Sequence, residues 1–424
     1  MHYIFLLFFL IAFIAALIRT IGYFYKDFLA EWGLIFSDAD LYAFRDLVQA
    51  TFNMAEASIG IVIYLIGIMT LWLGILRIAE KGGVINWMSK KIEPFFILLF
   101  PEIPKGHEAH GAIVMNFAAN MLGLDNAATP FGIKAMEQLQ TINPDQSKAS
   151  NAQIMFLVLN TSGLTLIPIS VMALRAAEGA SQPTNVFLPI LLATYFASLA
   201  GLIVVGVKQK INLFHPRILM VLGGLTAFIA GLIYWLTSQT QEFINGFSTV
   251  TGNFILMSLI IMFLIIGYRK GINLYETFIE GAKEGFSTSI KIIPYLVGIL
   301  VAIGVFRASG AMDFIIDGIE WIVASMGFNT DFVGALPTAF MKPLSGSGAR
   351  GMMIETMQNY GPDSFQSFLS GIFQGSTETT FYTIAVYYGA INISKTRYTA
   401  VAGLIADFAG ILAAIFIGYL FFEG

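Results

Sequence analysis

Residues 332–363, FVGALPTAFMKPLSGSGARGMMIETMQNYGPD, decide the fold because they have a counterpart upstream, residues 108–140, EAHGAIVMNFAANMLGLDNAATPFGIKAMEQLQ. Each segment holds a short apolar half-helix, a break rich in Gly, Asn, Ser or Pro, and a second short amphipathic helix. Within the later segment Gly346, Gly348 and Gly351 spell G-x-G-x-x-G, the spacing of a dinucleotide-binding loop. A true fingerprint of that kind follows a β-strand and has an acid about 20 residues further on. Here an apolar half-helix containing Pro337 and Pro343 precedes it, and another short helix follows. The three glycines predict instead a tight turn, where a side chain would block close approach of backbone.

Working outward, composition settles the solvent. With 57% hydrophobic and only 12% charged residues, and a mean hydropathy of +0.75, the chain cannot cover itself with a soluble surface. It reads as an all-α, polytopic membrane protein. Apolar cores near residues 3–18, 59–78, 154–174, 186–207, 218–236, 254–267, 290–305, 365–391 and 398–421 predict about nine transmembrane helices. The apolar amino terminus has no Lys or Arg before its core and reads as a retained first span. Lys and Arg then set orientation. Arg77, Lys81, Lys90 and Lys91, then Lys208, Lys210 and Arg217, then Arg269, Lys270, Lys283 and Lys291 all fall on one side by this count. The loop TSQTQEFINGFSTVTG, with neither Lys nor Arg, falls on the other. Residues 20–56 mix both charge signs and give no clear topology.

The net charge of −4 offers no basic stripe for nucleic acid. There is no cysteine, which excludes thiolate metal sites, a Cys nucleophile and disulfides. His107 and His110 stand one residue short of the H-E-x-x-H spacing and read as a capped helix start rather than a metal site. No cofactor is expected, and no Walker A lysine motif points to ATP.

The two Gly/Pro segments read as re-entrant helical hairpins, near residues 108–142 and 330–360. Each leads through a similar connector, INPDQSKAS or GPDSFQSF, into a long helix with a polar patch and then one more span. LNTSGLTLIPI (159–169) aligns with FQGSTETTFYTI (373–384), and TYFASLAGLI (194–203) with ADFAGILAAI (406–415). Five predicted spans separate the hairpins, and an odd number inverts the second unit relative to the first. The expected architecture is an inverted-topology repeat of transporter type, residues 1–210 and 211–424, with a solute site near the midplane where broken helices meet.

Polar residues at membrane depth mark candidate contacts. In the first hairpin these are Asn116 and Asn120, which share a helix face, with Asp125, Asn126 and Thr129 at the break; Asp125 and Asn126 equally suit a capping role. Asn160 and Ser162 stand in the following patch. In the second hairpin Ser345, Ser347 and Arg350 surround free helix-start N–H groups suited to a polar or anionic group. Gln374, Ser376, Glu378 and Thr379 follow. Glu378 is expected inside a long apolar helix, as an ion-coupling or solute-binding acid or as the partner of Arg350 or Lys342. Asp407, in the last span, is the second buried acid and reads as an ion-pair partner or a proton or ion-coupling site rather than a direct solute ligand.

These same residues carry a resemblance. MNFAANMLGLDNAATPFGIKAMEQLQ resembles the signature of the spore maturation protein A family. LSGSGARGMMIETMQNYGPDSF through GSTETTFYTIAVYYGAINISKTRYTAVAGLIADFAG resembles that of spore maturation protein B. Together with their flanks these motifs suggest a fusion of the two. The resemblance extends to the so-called nucleoside recognition or gate domain, similar to the hairpin-plus-helices unit of concentrative nucleoside transporters. It implies a non-enzymatic, transporter-like core in a bacterial cytoplasmic (inner) membrane. The first half departs from the transporter pattern, since the patch from Asn160 to Thr165 lacks an acid. Expected partners are membrane lipid, a small polar solute and H+ or Na+, with a homo-oligomer open as an assembly. A membrane scaffold or regulatory protein without transport, and an intramembrane enzyme using Glu378 or the histidine pair, are the alternatives.

Overall fold

A computed structural model describes residues 2–123, 125–163 and 165–422, with side chains for all of these but residues 2 and 125–127. The roles expected of Asp125 and Asn126 therefore fall on side chains outside the described residues. Secondary structure among the described residues is helical, apart from an isolated bridge between Lys148 and Lys395. Among the described residues, seven helices are long and apolar enough to cross a membrane.

Helix α1 (His2–Phe24) and the short α2 (Lys26–Ala30) precede α3 (Ala43–Gly82). Then come α4 (Val84–Leu99), the pair α5 (Glu108–Met121) and α6 (Asp125–Thr141), the pair α7 (Asn151–Thr161) and α8 (Ile169–Ala177), and α9 (Phe187–Lys208). A rod formed by α10 (Pro216–Ile218), a π-turn and α11 (Gly224–Thr237), followed by α12 (Gln241–Arg269), leads to a second round of the same order. That round comprises α13 (Leu274–Ala308), α14 (Ala311–Ser325), the pair α15 (Leu336–Met341) and α16 (Gly346–Tyr360), the pair α17 (Phe365–Ser376) and α18 (Thr380–Ala390), and α19 (Thr399–Phe421).

Local chemistry explains why the two rounds match. Each long helix ends at a glycine in the left-handed region, Gly83 (φ 88°) after α3 and Gly310 (φ 84°) before α14, which turns the chain into an amphipathic helix. Each connector ends on a serine cap. Ser150 accepts from the Gln153 N–H at the start of α7, and Ser364 accepts from the Ser367 N–H at the start of α17. The long helices α3 and α13 lie against each other, and the small residues Gly281 and Gly285 permit it. A Cβ at either position would stand 2.3 Å from the Leu73 carbonyl oxygen or 2.5 Å from that of Met69, so the backbones touch where side chains would hold them apart.

The structure corrects three expectations. Residues 154–174 and 365–391 are not continuous spans; each is two short helices with an unwound segment between. In the first, Gly163 and residues 165–168 are non-helical; Pro168 has no N–H, and the residue before a proline disfavours helix. The second has no proline; Thr377 (φ −144°, ψ 172°) and Thr379 (φ −82°, ψ 98°) are extended. Glu378 accordingly sits in an unwound segment, not inside a long helix.

The glycine triplet is also not a turn. Gly346, Gly348 and Gly351 all belong to α16, and none has a positive φ. The bend lies just upstream, between Met341 and the cap Ser345. The glycines instead admit close neighbours: a Cβ at Gly346 would lie 2.8 Å from Thr379 Oγ1, at Gly348 2.4 Å from Met341 Cε, and at Gly351 2.9 Å from Ile303 Cδ1.

Candidate functional site

The two unwound segments meet. The Glu378 N–H donates to the Thr161 carbonyl at 2.7 Å, tying the second break to the first. Each break is also held by the bend of the neighbouring helix pair. The Leu166 N–H donates to Met121 O at 2.9 Å, and the Phe381 N–H donates to Pro343 O at 3.0 Å. Backbone groups freed by unwinding must find partners when they are away from water, and here each pair's bend supplies one for the break that follows it. The straight helices add further bonds. Thr194 Oγ1 of α9 donates to Gly163 O and Ser198 Oγ to Ser162 O, while Thr380 Oγ1 donates to Asp407 Oδ2 of α19 at 2.7 Å.

Around this junction lies a cavity of about 870 Å³, the size of a small-molecule site. Of the residues singled out in the sequence, Asn120, Thr129, Asn160, Ser345, Ser347, Arg350, Gln374, Glu378 and Thr379 line it. They come from both helix pairs and both breaks, so the matched segments do converge.

Three others stand behind the wall. Asn116 is fully buried and donates to Ala128 O at 2.8 Å and to Tyr387 OH at 3.4 Å. Its Oδ1 accepts from Asn120, which also donates to Asn160 Oδ1 at 2.8 Å. Asn116 thus positions a side chain that faces the cavity and is not itself a wall residue. Ser162 and Ser376 are buried, with hydroxyls spent on Leu159 O and Phe373 O of the preceding turn. The reason is geometric: both fall at the last turn of a half-helix, where a hydroxyl readily bonds back to its own backbone.

Asp407 is also outside the cavity lining. It is 2% exposed, one oxygen accepts from Thr380, and the other, sealed from solvent, has no hydrogen-bond partner. Glu378 makes no ion pair with Arg350 or Lys342. His107 caps α5, its Nδ1 accepting from the Ala109 N–H at 3.2 Å.

Several wall residues had no local signal. Trp72 of α3 and Tyr295 of α13 border the cavity, as do Tyr387 and Thr383 of α18. The one sequence clue was Pro294, inside α13 and itself on the wall, since proline in a helix interior marks a kink.

The amino ends of α8, α16 and α18 all border the cavity, through Pro168 to Val171, Ser345 to Ser347 and Thr379. Helix amino ends present free N–H groups and partial positive charge. Gln374 is 4% exposed, and its Oε1 has no hydrogen-bond partner. The arrangement can surround a small polar molecule with donors from fixed backbone and acceptors from amide side chains.

Comparison with known proteins adds an independent line. The family model described as "Nucleoside recognition" (Gate) matches residues 62–178 and 289–394, and these segments contain both helix pairs and both breaks. Spore maturation protein A of Bacillus subtilis (strain 168) is 41% identical over 172 residues, which is 41% of this chain and 87% of that protein. Spore maturation protein B of the same organism is 45% identical over 159 residues, 38% of this chain and 88% of that protein. No solved structure matches.

Proposed function

The chain belongs to the nucleoside recognition (gate) family of membrane proteins, and from that premise we propose that it is a secondary transporter of a small polar solute, held in the cavity where the two breaks cross. The observation that carries the reading is the Glu378 to Thr161 backbone bond. Discontinuous helices whose broken ends face one central cavity are how transporters build a solute site without side-chain charges at every contact.

Loop contacts support an inverted repeat, residues 1–210 against 211–424. The connector that opens α7 pairs with the loop that follows α18, through the Ala149 N–H to Lys395 O at 3.0 Å and Arg397 to Ala149 O at 3.0 Å. The loop that follows α8 pairs with the connector that opens α17, through the Ser181 N–H to Asp363 at 3.0 Å. Start against finish at both ends is the signature of broken helices that run antiparallel. In this reading the pairs α5/α6 and α15/α16 are re-entrant hairpins, and the two broken helices complete nine crossings with the seven long ones. Residues of one half would rock against those of the other to expose the cavity to alternate sides.

Glu378, at the crossing, and Asp407, sealed behind it, are the acids we assign to coupling with H+ or Na+. The nucleoside of the family's description is the first solute class to try, and a bacterial inner membrane is the expected location. Purified protein in liposomes, given a panel of nucleosides, nucleobases, amino acids and dicarboxylates under proton and sodium gradients, should accumulate at least one class. Neither flux nor binding across the panel would sink the transport reading and leave the scaffold alternative standing.

A further inference from the structure

We infer that the solute is an anion carrying a hydroxyl or amino donor, held by Arg350 and the α16 helix start, and so differs from a neutral nucleoside. The inference rests on the cavity being a solute site. It begins with Arg350, which lines the cavity and takes part in no ion pair among the described residues. A guanidinium in that condition is short of an acceptor, and carboxylates and phosphates suit its fork of donors.

The backbone beside it is arranged for the same sign of charge. Ser345 caps α16 by accepting from the Gly348 N–H at 3.0 Å. The N–H groups of Gly346 and Ser347 stand at the first two helical positions, where no intrahelical partner exists, and both residues line the cavity. Glycine at 346 keeps this edge open, since any Cβ there would press on Thr379. The starts of α8 and α18 add two more positive helix ends to the same wall.

Gln374 supplies the second, independent observation. It is 4% exposed, lines the cavity, and its Oε1 accepts nothing. A buried carbonyl oxygen without a donor is costly to leave unmade, and a small turn of the Gln374 amide toward the cavity would let a hydroxyl or amino group on the ligand satisfy it. Glu378 is the acid on the described wall that opposes an anion, and its protonation or a cation beside it would leave the wall more favourable.

The full-length chain in lipid nanodiscs, titrated calorimetrically with uridine 5′-monophosphate, glutamate, inorganic phosphate and uridine, tests this. At least one of the first two should bind about tenfold or more tightly than uridine, and which one does so distinguishes a phosphate from a carboxylate group. Arg350→Gln should lose about tenfold or more for that anion, the range of a charged hydrogen bond, while uridine changes little; Arg350→Lys should recover part of the loss. Uridine binding as tightly as both anions, or an Arg350→Gln protein of unaltered melting temperature and unaltered anion affinity, overturns the inference and leaves the transport reading intact. Should Arg350→Gln fail to fold, the comparison of the monophosphate with uridine on the natural chain still decides. No binding of any of the four, together with no uptake of the wider panel, removes both.

Discussion

The two breaks do the same structural task with different chemistry. In the first, Pro168 ends helical bonding, and the carbonyls of Ser162 and Gly163 accept hydroxyls from Ser198 and Thr194 of α9. In the second there is no proline, and the matching straight helix contributes Asp407, an acceptor, which takes the hydroxyl of Thr380. One junction is closed by neutral groups that satisfy each other. The other contains two acids, one facing the cavity and one sealed with an oxygen unpartnered. Since buried polar groups are normally satisfied, the difference places, among the described residues, the acids and the unsatisfied oxygen at the second break alone.

The strongest way to break that comparison is to neutralise the acids. Glu378→Gln should abolish dependence of uptake on the driving gradient, read by flux with the proton and sodium gradients imposed separately; coupling that survives unchanged would remove Glu378 from the mechanism. Asp407→Asn keeps an acceptor for Thr380 but removes a buried acid with an unsatisfied oxygen. It should therefore leave the melting temperature unchanged or raise it while coupling is lost, the opposite of what a stabilising residue would do. A drop in melting temperature with coupling intact would assign Asp407 to the scaffold.

A smaller effect is expected on the neutral side. Asn160→Leu removes one of the two acceptors of the half-buried Asn120 amide, at a cost of about 1 kcal/mol, measured by thermal unfolding in nanodiscs. Because Asn120 and Asn160 also face the cavity, solute affinity should fall in the same protein. The smallest effect should come from Pro168→Ala. If the contacts of Leu166 with Met121 and of Glu378 with Thr161 hold the junction, restoring one N–H changes stability by under about 1 kcal/mol, and the crossing survives. A large change would mean that proline, rather than these long-range bonds, sets the first break.

Much of this was legible before any coordinates. Apolar runs, matched Gly/Pro segments and the recurring serine-capped connectors identified a membrane protein with a repeated unit, and nine of the polar residues singled out do line one cavity. Two errors share a cause. Hydropathy counts apolar side chains over a window, and 154–174 and 365–391 are apolar enough throughout; nothing in the count records where a backbone N–H finds its acceptor. Likewise Gly346, Gly348 and Gly351 announced close packing correctly, but glycine serves a tight turn and a tight contact equally well, and only Thr379, Met341 and Ile303 as neighbours distinguish the two. Ser162 and Ser376 stand beside wall residues in the sequence, but their hydroxyls bond back to Leu159 O and Phe373 O of their own helices, which spacing alone does not reveal.

By itself, then, the sequence determined solvent, helix content and the repetition, since composition and periodicity are local properties that burial in lipid enforces on every segment. The crossing was decided only in three dimensions. An unwound segment at membrane depth is tolerable when another part of the chain supplies its hydrogen bonds, and for Glu378 that part is Thr161, in the other half of the molecule. Which polar residues face a cavity and which only hold its wall follows from that pairing, and no local pattern encodes it.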